Sequence, residues 1–416
     1  MMTGVNAASL INDTETERVL YELVQPLAQA AKIPDGRLKI HIVNDEDFNA
    51  FVMGGEEVFV YTGLIKQIKN PDAFQAVIAH ELGHTIGGHM VQMADRMNAE
   101  MKRTMLIQAL GVGLMVAGGN PTLGAGVLAG SGGVAQQSLM AFTRDEERIA
   151  DDMAVDLMVK AGLNPNGFID VLQQMNELTG AAESKTNPNM INHPMTAERI
   201  NNVREKIKQL KLKNNSKWDA HEFKLVQAKL IGYLDNAKRV QELYPNTDKS
   251  DAALYARAIA NMQGGNLDGA KIGTQTLIAR NPNNPYFLEL LGDIEYQFGH
   301  FDDSVAAYEK SLDLAKNAPQ IQTALALVLT ERNKPGDDKR AIELCKRSIL
   351  GEPAPLTYWV LARAYGENDP GRYAWAMAEY NNLIGKNADA KKYAKIAQKK
   401  LKKNDPEYIK AGDLLN

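Results

Sequence analysis

The residues best suited to chemistry form the pentapeptide His-Glu-Leu-Gly-His at positions 80–84. Helical residues four apart share a face, so His80 and His84 can bind one metal ion from the same side. Glu81 is turned by about 100° from His80, beside the open coordination position, where it can take a proton from water. Zinc in such sites holds three protein ligands and a water molecule, and lowers the pKa of that water to about 7. The pattern predicts a zinc-dependent endopeptidase.

A third ligand has to come from elsewhere in the chain. A local third histidine would stand six residues after His84, where the sequence has Met90. His89 is one residue short, and on a continued helix it would be rotated away, which favours a helix-surface residue or a partner of a ligand. A lone cysteine, Cys345, excludes a cysteine-based zinc site. The third ligand is therefore expected to be a carboxylate on another helix.

The segment 144–151, Arg-Asp-Glu-Glu-Arg-Ile-Ala-Asp, offers that carboxylate. Glu147 and Asp151 lie four residues apart, on one helix face. Glu147 can bind the metal while Asp151 accepts a hydrogen bond from the second ring N–H of a ligating histidine. The alternative is a solvated acidic face paired with Arg144 and Arg148. The HELGH helix and the missing local histidine favour the metal site.

Several elements must position these residues. Helical periodicity covers 14–32, strand-like patterns cover 38–43 and 58–62 around a Gly54-Gly55 turn, and Pro71 marks the start of the HELGH helix. Further helices are expected at 143–161, 166–178 and 196–211. The strand at 58–62 is either a core strand or a sheet edge near the zinc ion, on which an extended substrate could pair.

The segment 105–141 is apolar and carries nine glycines between Gly111 and Gly133. Its two halves fall short of the roughly 20 apolar residues that span a membrane, which argues against an integral membrane protease. The favoured interpretation is a buried helical hairpin or a mobile loop. The alternatives are a flap over the active site and a shallow membrane contact.

A repeat begins after the polar linker at 211–217. Three small residues, Ala258, Gly265 and Ala270, recur 34 residues later as Gly292, Gly299 and Ser304. This period is typical of tetratricopeptide repeats, and 285–318 is the clearest copy. The fold class is therefore mainly α with a small β-sheet. We expect a metallopeptidase domain at 1–212 and an α-solenoid at 218–416.

Composition limits the function further. Of the 416 residues, 44% are hydrophobic and 24% are charged, as in ordinary globular proteins. A formal charge of −4 gives no broad basic field, so no nucleic-acid partner is expected. The lysine-rich stretch 386–403 is interpreted as a solvated helix face. The N-terminus has no basic region followed by an apolar stretch, so no signal peptide is expected in the sequence as written.

Four segments in order over residues 49–200 carry a family resemblance. They are Asn49-Ala50-Phe51 before the VFVYTGL strand, HELGH, Arg-x-x-Glu-x-x-Ala-Asp at 144–151, and His193-Pro194 followed by Arg199-Ile200. Together they resemble the gluzincin metallopeptidases related to the CAAX-prenyl protease and HtpX. With the C-terminal repeats, the chain is most similar to the periplasmic BepA-type proteases.

The resemblance implies a role for each matching residue. His80, His84 and Glu147 would bind one zinc ion, Glu81 would be the general base, and Asp151 would orient a ligand. Asn49 and His193 would stabilise the developing oxyanion. His193 has a second possible role as a fourth ligand that displaces the water and holds the enzyme latent.

The expected function is hydrolysis of internal peptide bonds in extended, unfolded or misassembled proteins. The resemblance implies outer-membrane protein assembly and quality control in the periplasm, with the repeats docking on an assembly complex. A cytoplasmic location is the alternative, since no signal peptide is visible. The rival function is a repeat-based chaperone or adaptor whose metal site is capped or vestigial.

Overall fold

A computed structural model describes most of the chain. The described residues are 9–53, 56–89, 144–181, 193, 197–210, 218, 220–351 and 353–415. The predictions for the segment 105–141, for the Gly54-Gly55 turn and for the linker 211–217 lie outside these residues.

The chain divides into two compact units. The first contains Met1–Asn12 and Thr16–Gln227, and the second contains Asp13–Glu15 and Ala228–Asn416. The division falls inside the helix Ala220–Leu234, beyond the polar linker. The functional domains at 1–212 and 218–416 stay a prediction.

The first unit holds a small mixed sheet. Its strands are β1 (Ser9–Ile11), β2 (Lys39–Asn44), β3 (Ala50–Met53) and β4 (Glu57–Tyr61). Their order is β1-β2-β4-β3, in which β2 and β4 are parallel and the outer strands pair antiparallel. The suggestion that 58–62 is a sheet edge was wrong, because β4 has a partner on both sides. Among the described strands, β3 is the edge next to β4.

Six described helices complete this part of the chain, and five of them confirm predicted helices, whereas the short helix Thr62–Gln67 was not predicted. They are α1 (Thr14–Ala30), α2 (Thr62–Gln67), α3 (Pro71–Ile86), α4 (Arg144–Lys160), α5 (Asn166–Ala181) and α6 (Ala197–Gln209). The start of α3 follows local chemistry, since the Asn70 side chain accepts a hydrogen bond from the Ala73 N–H at 2.8 Å. Pro71 occupies the first helical position.

Helix α3 is buried and packs against α4, α5 and β3. Gly83, inside the HELGH motif, lies at its contact with α4. A β-carbon at Gly83 would approach the Ala150 carbonyl oxygen to 2.8 Å, closer than real contacts allow. The glycine therefore permits the close approach that brings the two histidines of α3 to the carboxylates of α4.

The second part of the chain consists of helices in the described residues. They are α7 (Ala220–Leu234), α8 (Ala237–Leu243), α9 (Asp251–Gln263), α10 (Leu267–Arg280), α11 (Pro285–Gln297), α12 (Phe301–Leu314), α13 (Pro319–Arg332), α14 (Asp337–Gly351), α15 (Pro355–Tyr365), α16 (Pro370–Leu383), α17 (Asn387–Lys400) and α18 (Pro406–Asp413). From α8 onwards, each helix contacts the next one along the chain.

The helices repeat as the sequence predicted. Helices α9, α11, α13 and α15 begin 34, 34 and 36 residues apart. Gly265 and Gly299 follow equivalent helices with the same φ of 77°, a conformation that favours glycine. The Ser304 hydroxyl donates to the Gly292 carbonyl at 2.8 Å across the α11–α12 contact. The mainly α fold with a small sheet is thus confirmed. None of the described helices is both long and apolar enough to cross a membrane.

Candidate metal centre

Four side chains from three segments converge at one buried point. His80 and His84 on α3, Glu147 on α4, and His193 each offer a ligand atom, and these atoms lie within 4.8 Å of one another. The two Nε2 atoms of His80 and His84 are 3.0 Å apart. Glu147 Oε1 lies 3.3 Å from His84 Nε2 and 2.9 Å from His193 Nδ1. His80, His84 and Glu147 are at most 6% exposed.

The opposite ring nitrogens of both helix histidines face other side chains. Nδ1 of His80 lies 3.0 Å from Asp151 Oδ1, and Nδ1 of His84 lies 3.0 Å from His89 Nδ1. Both Nε2 atoms are therefore turned towards each other and towards Glu147. Two imidazole nitrogens and a carboxylate oxygen converging in this way fit a transition-metal ion.

His89 corrects one expectation. The helix does not continue to this residue, because α3 ends at Ile86 and is followed by Gly87 and by Gly88, whose φ is 69°. The turn carries the His89 ring back onto His84, where it is buried. The interpretation as a helix-surface residue was wrong, and the interpretation as a partner of a ligand agrees with the contact.

Arg199 is a site residue for which the sequence indicated no role. Its guanidinium binds both oxygens of Asp151, at 2.7 and 2.8 Å, and its Nη1 lies 2.6 Å from Glu147 Oε2. Such a planar fork suits two carboxylates at once. Arg199 thereby holds Asp151 and Glu147 in fixed orientations. The sequence pointed to Arg199 only through its position six residues after His193, within one of the four segments that carry the family resemblance.

The electrostatics of the site follow from this packing. Burial opposes the charge on His80, yet the Asp151 and Glu147 carboxylates raise its pKa to about 10. Burial lowers the pKa of His84 to about 3. Although burial favours its neutral form, hydrogen bonds and neighbouring imidazoles hold the pKa of Glu147 well below its usual range. The carboxylate of Glu147 is thus charged and available to a cation.

Glu81 and Asn49 border the same site. The Glu81 carboxyl is buried, which raises its pKa, and its Oε1 lies 3.6 Å from His193 Nε2. Asn49 precedes the edge strand β3 and lines one cavity with His80, Glu81 and His193. All seven site residues predicted from the sequence therefore lie around this one cluster: Asn49, His80, Glu81, His84, Glu147, Asp151 and His193.

The rest of this cavity is largely apolar. Beyond the polar residues and Arg199, it is lined by Phe48, Ala50, Leu64, Val77, Phe168, Val171, Leu172 and Met175. An apolar side chain next to the reacting bond would be shielded from water there.

A second group of potential ligands in the described residues is not comparable. It consists of Glu295, His300 and Asp303, of which the last two are exposed. Glu295 already forms an ion pair with Lys271. The cluster around His80 is therefore the stronger candidate for a metal centre.

A buried set of histidine and carboxylate donors beside a second buried glutamate defines the class of a metallopeptidase. Residues 14–207 match the model of Peptidase family M48. The protein is therefore an enzyme, a metalloprotease.

Relatives match over most of the chain. The beta-barrel assembly-enhancing protease of Escherichia coli K12 is 24% identical over 390 residues, which are 91% of this chain and 78% of the relative. The protein of the same name from Yersinia pestis is 24% identical, over 86% and 74% of the two chains. Metalloprotease YcaL of E. coli K12 is 31% identical, over 39% of this chain and 59% of YcaL.

A solved structure also aligns with part of this chain. A thermophilic TPR protein of Thermus thermophilus is 16% identical, covering 46% of this chain and 91% of that chain, with a TM-score of 0.27.

Proposed function

We propose that the protein is a zinc-dependent endopeptidase that hydrolyses internal peptide bonds of unfolded or misassembled proteins. The observation that carries the proposal is the convergence of His80, His84 and Glu147 beside the buried carboxyl of Glu81. Two imidazoles and one carboxylate form a ligand set that suits a catalytic zinc ion. Zinc, when bound, would polarise the substrate carbonyl and lower the pKa of water to about 7.

The protein side chains supply the remaining steps. Glu81 takes a proton from the attacking water and later gives it to the leaving amine. Asn49 donates a hydrogen bond to the oxygen of the scissile carbonyl. In the structure His193 lies in the ligand cluster, the group formed with His80, His84 and Glu147, and a hydrogen bond from it to that oxygen is the rival role, which excludes the cap proposed below. Asp151 orients His80, and Arg199 holds Asp151 and Glu147 in place.

The substrate class follows from the surroundings of the site. Strand β3 begins directly after Asn49, and among the described strands it has one open edge. An extended polypeptide could pair along β3 and place an apolar side chain in the cavity beside Glu81. Because a folded chain keeps its backbone groups paired internally, this mode of binding selects unfolded segments.

The biological role is proposed from the relatives. Two of them are named as beta-barrel assembly-enhancing proteases, and they match at least 86% of this chain. We infer that this protein acts in outer-membrane protein assembly and quality control, in the periplasm. The repeat helices would present substrates or dock on an assembly complex.

The position of His193 supports a resting state that is self-inhibited. Its Nδ1 lies 2.9 Å from Glu147 Oε1 and 3.3 Å from His80 Nε2, so it occupies the ligand cluster. An imidazole in this place would exclude the attacking water. The same contact supports the second candidate function, an adaptor whose metal site is permanently capped.

Metal removal tests the proposed activity. The purified protein is expected to contain one zinc ion per chain and to cleave casein. Because the protein ligands alone cannot activate water, dialysis against a chelator should abolish cleavage, and added Zn²⁺ should restore it. Cleavage that persists in protein shown by elemental analysis to be metal-free would refute the proposal.

His193→Ala tests the cap. Removing the imidazole opens the ligand cluster, so kcat/KM for casein is expected to rise several-fold while the zinc content stays near one ion per chain. His221→Ala, in the exposed part of α7, is the matched control and should leave kcat/KM unchanged. A large loss of activity in His193→Ala would instead assign the residue to transition-state stabilisation and contradict the cap.

A further inference from the structure

His89 occupies a built position behind the ligand cluster. It is 2% exposed, and its Nδ1 lies 3.0 Å from Nδ1 of His84. The two rings are 5.1 Å apart between centroids and inclined at 74°, so they meet through their nitrogens and do not stack. The His84 nitrogen in this contact is the one turned away from Glu147 and His80.

The chemistry of two imidazole nitrogens fixes which atom donates. A hydrogen bond between two Nδ1 atoms requires one N–H and one lone pair. If His84 Nε2 is to offer its lone pair to a metal ion, the proton of the neutral ring must sit on Nδ1. His89 Nδ1 must then accept, which leaves the proton of His89 on its Nε2.

We propose that His89 is a positioning residue that accepts a hydrogen bond from His84 Nδ1–H and so keeps His84 in its metal-binding tautomer. The proposal rests on the metal site proposed above. The Nδ1 atom of His80 faces the Asp151 carboxylate, whereas the Nδ1 atom of His84 faces the imidazole ring of His89. The two ligands of one helix are thus oriented by chemically different partners.

The Gly87–Gly88 turn makes room for this ring. A β-carbon at Gly87 would lie 2.6 Å from His89 Nε2 and 2.8 Å from its Cε1, so the His89 ring would have to shift. Gly87 itself has φ of −70° and ψ of −7°, so alanine there would carry no backbone strain. Gly87→Ala therefore displaces the His89 ring without removing it.

Metal affinity in the full chain tests the proposal. We would measure the dissociation constants of Zn²⁺ and Co²⁺ by competition with a chromophoric chelator, for the wild type, His89→Leu and His89→Asn. Leucine keeps the bulk but cannot accept, and metal binding should weaken by about 10- to 100-fold. Asparagine places an oxygen near the position of Nδ1, so the affinity of His89→Asn for both metal ions should stay close to that of the wild type.

Two further measurements separate positioning from a general loss of structure. Gly87→Ala should weaken Co²⁺ binding and alter the Co²⁺ absorption spectrum. Gly264→Ala is the matched control, because Gly264 also follows the last residue of a helix and has a negative φ. A β-carbon there would lie 3.3 Å from its nearest neighbour, the Ala260 carbonyl oxygen. In metal-free protein, ¹⁵N NMR of the wild type should show the His84 proton on Nδ1. This test uses only the wild type and is therefore still possible if His89→Leu fails to fold.

Equal metal affinity for His89→Leu and the wild type would overturn the proposal while leaving the proposed function intact. So would an equal loss in His89→Asn and His89→Leu, or a His84 proton on Nε2. If the wild type binds neither ion, the proposed function fails as well. These outcomes are therefore distinguishable.

Discussion

Glu81→Gln is expected to lower kcat for casein by about 10²- to 10⁴-fold while leaving the zinc content unchanged. Glutamine has nearly the same shape as glutamate but cannot take a proton from the attacking water. The proposed ligand atoms belong to other residues, His80, His84 and Glu147, so metal binding should be preserved. Steady-state cleavage together with elemental analysis of the same samples measures both quantities.

The control for this variant is Glu177→Gln. Glu177 is an exposed carboxylate in the same unit, paired only loosely with Lys69 at 3.5 Å, so its neutralisation should leave kcat unchanged. Turnover by Glu81→Gln at the wild-type rate would refute the assigned mechanism. Loss of zinc from that variant would show that Glu81 holds the ligand cluster together and does not act only as a base.

The same residue sets the direction of the pH dependence. Burial raises the pKa of Glu81 above its ordinary value of 4.5. Because the base acts in its deprotonated form, kcat/KM should fall as the pH decreases through this raised pKa. The acidic limb of the profile is therefore expected above pH 4.5.

Lys229→Met is expected to destabilise the second unit by about 3–5 kcal/mol. The Lys229 ammonium is 6% exposed and faces three carboxylates, those of Asp13, Glu15 and Glu289. All four residues belong to the second unit. Methionine fills the same space but leaves the buried carboxylates without their cation, and an uncompensated buried charge is costly.

Urea unfolding of the full chain measures this loss. Trp359 and Trp375 report on the second unit when Trp218, which belongs to the first, is replaced by phenylalanine in every variant compared. Lys238→Met is the matched control, because the Lys238 side chain is 87% exposed and its pair with Glu242 is 4.0 Å long. A loss of stability no larger than that of the control would contradict the prediction.

The loss of stability caused by Lys229→Met should depend on pH. Burial raises the pKa of Glu289 to about 8, above its value in the unfolded chain. A carboxyl with a raised folded-state pKa contributes stability below pH 4.5, and this contribution disappears as the pH rises towards 8. Without Lys229 the neighbouring carboxylates are harder to ionise, so the deficit of Lys229→Met should be larger at pH 8 than at pH 5. An equal deficit at both pH values would be evidence against this account.

Tertiary packing decided features that local patterns leave open. Alternation of buried and exposed residues is the same for a central strand and for an edge strand with one buried face, so the position of β4 between β2 and β3 depends on which strands pair. The contacts of Arg199 with Asp151 and Glu147 join α6 to α4. No spacing rule along one element predicts such a contact.

The local chemistry of the site, in contrast, could be read directly from the sequence. Helical geometry places His80 and His84 on one face of α3, and it places Glu147 and Asp151 on one face of α4. The 34-residue period and the small residues of the repeats likewise follow from contacts between neighbouring segments. These features depend on intervals of a few residues or on one repeat, and the folded chain retains them.

The sequence by itself therefore determined the HELGH helix, the placement of Glu147 and Asp151 on one face of a second helix, and the repeat architecture. Only the tertiary structure decided that His193 joins the ligand cluster and that His89 turns back onto His84 after α3 ends at Ile86. The physical reason is the range of the interactions. Helical spacing is set by the backbone within one element, whereas the meeting of two ring nitrogens depends on where the chain turns and on what packs against it.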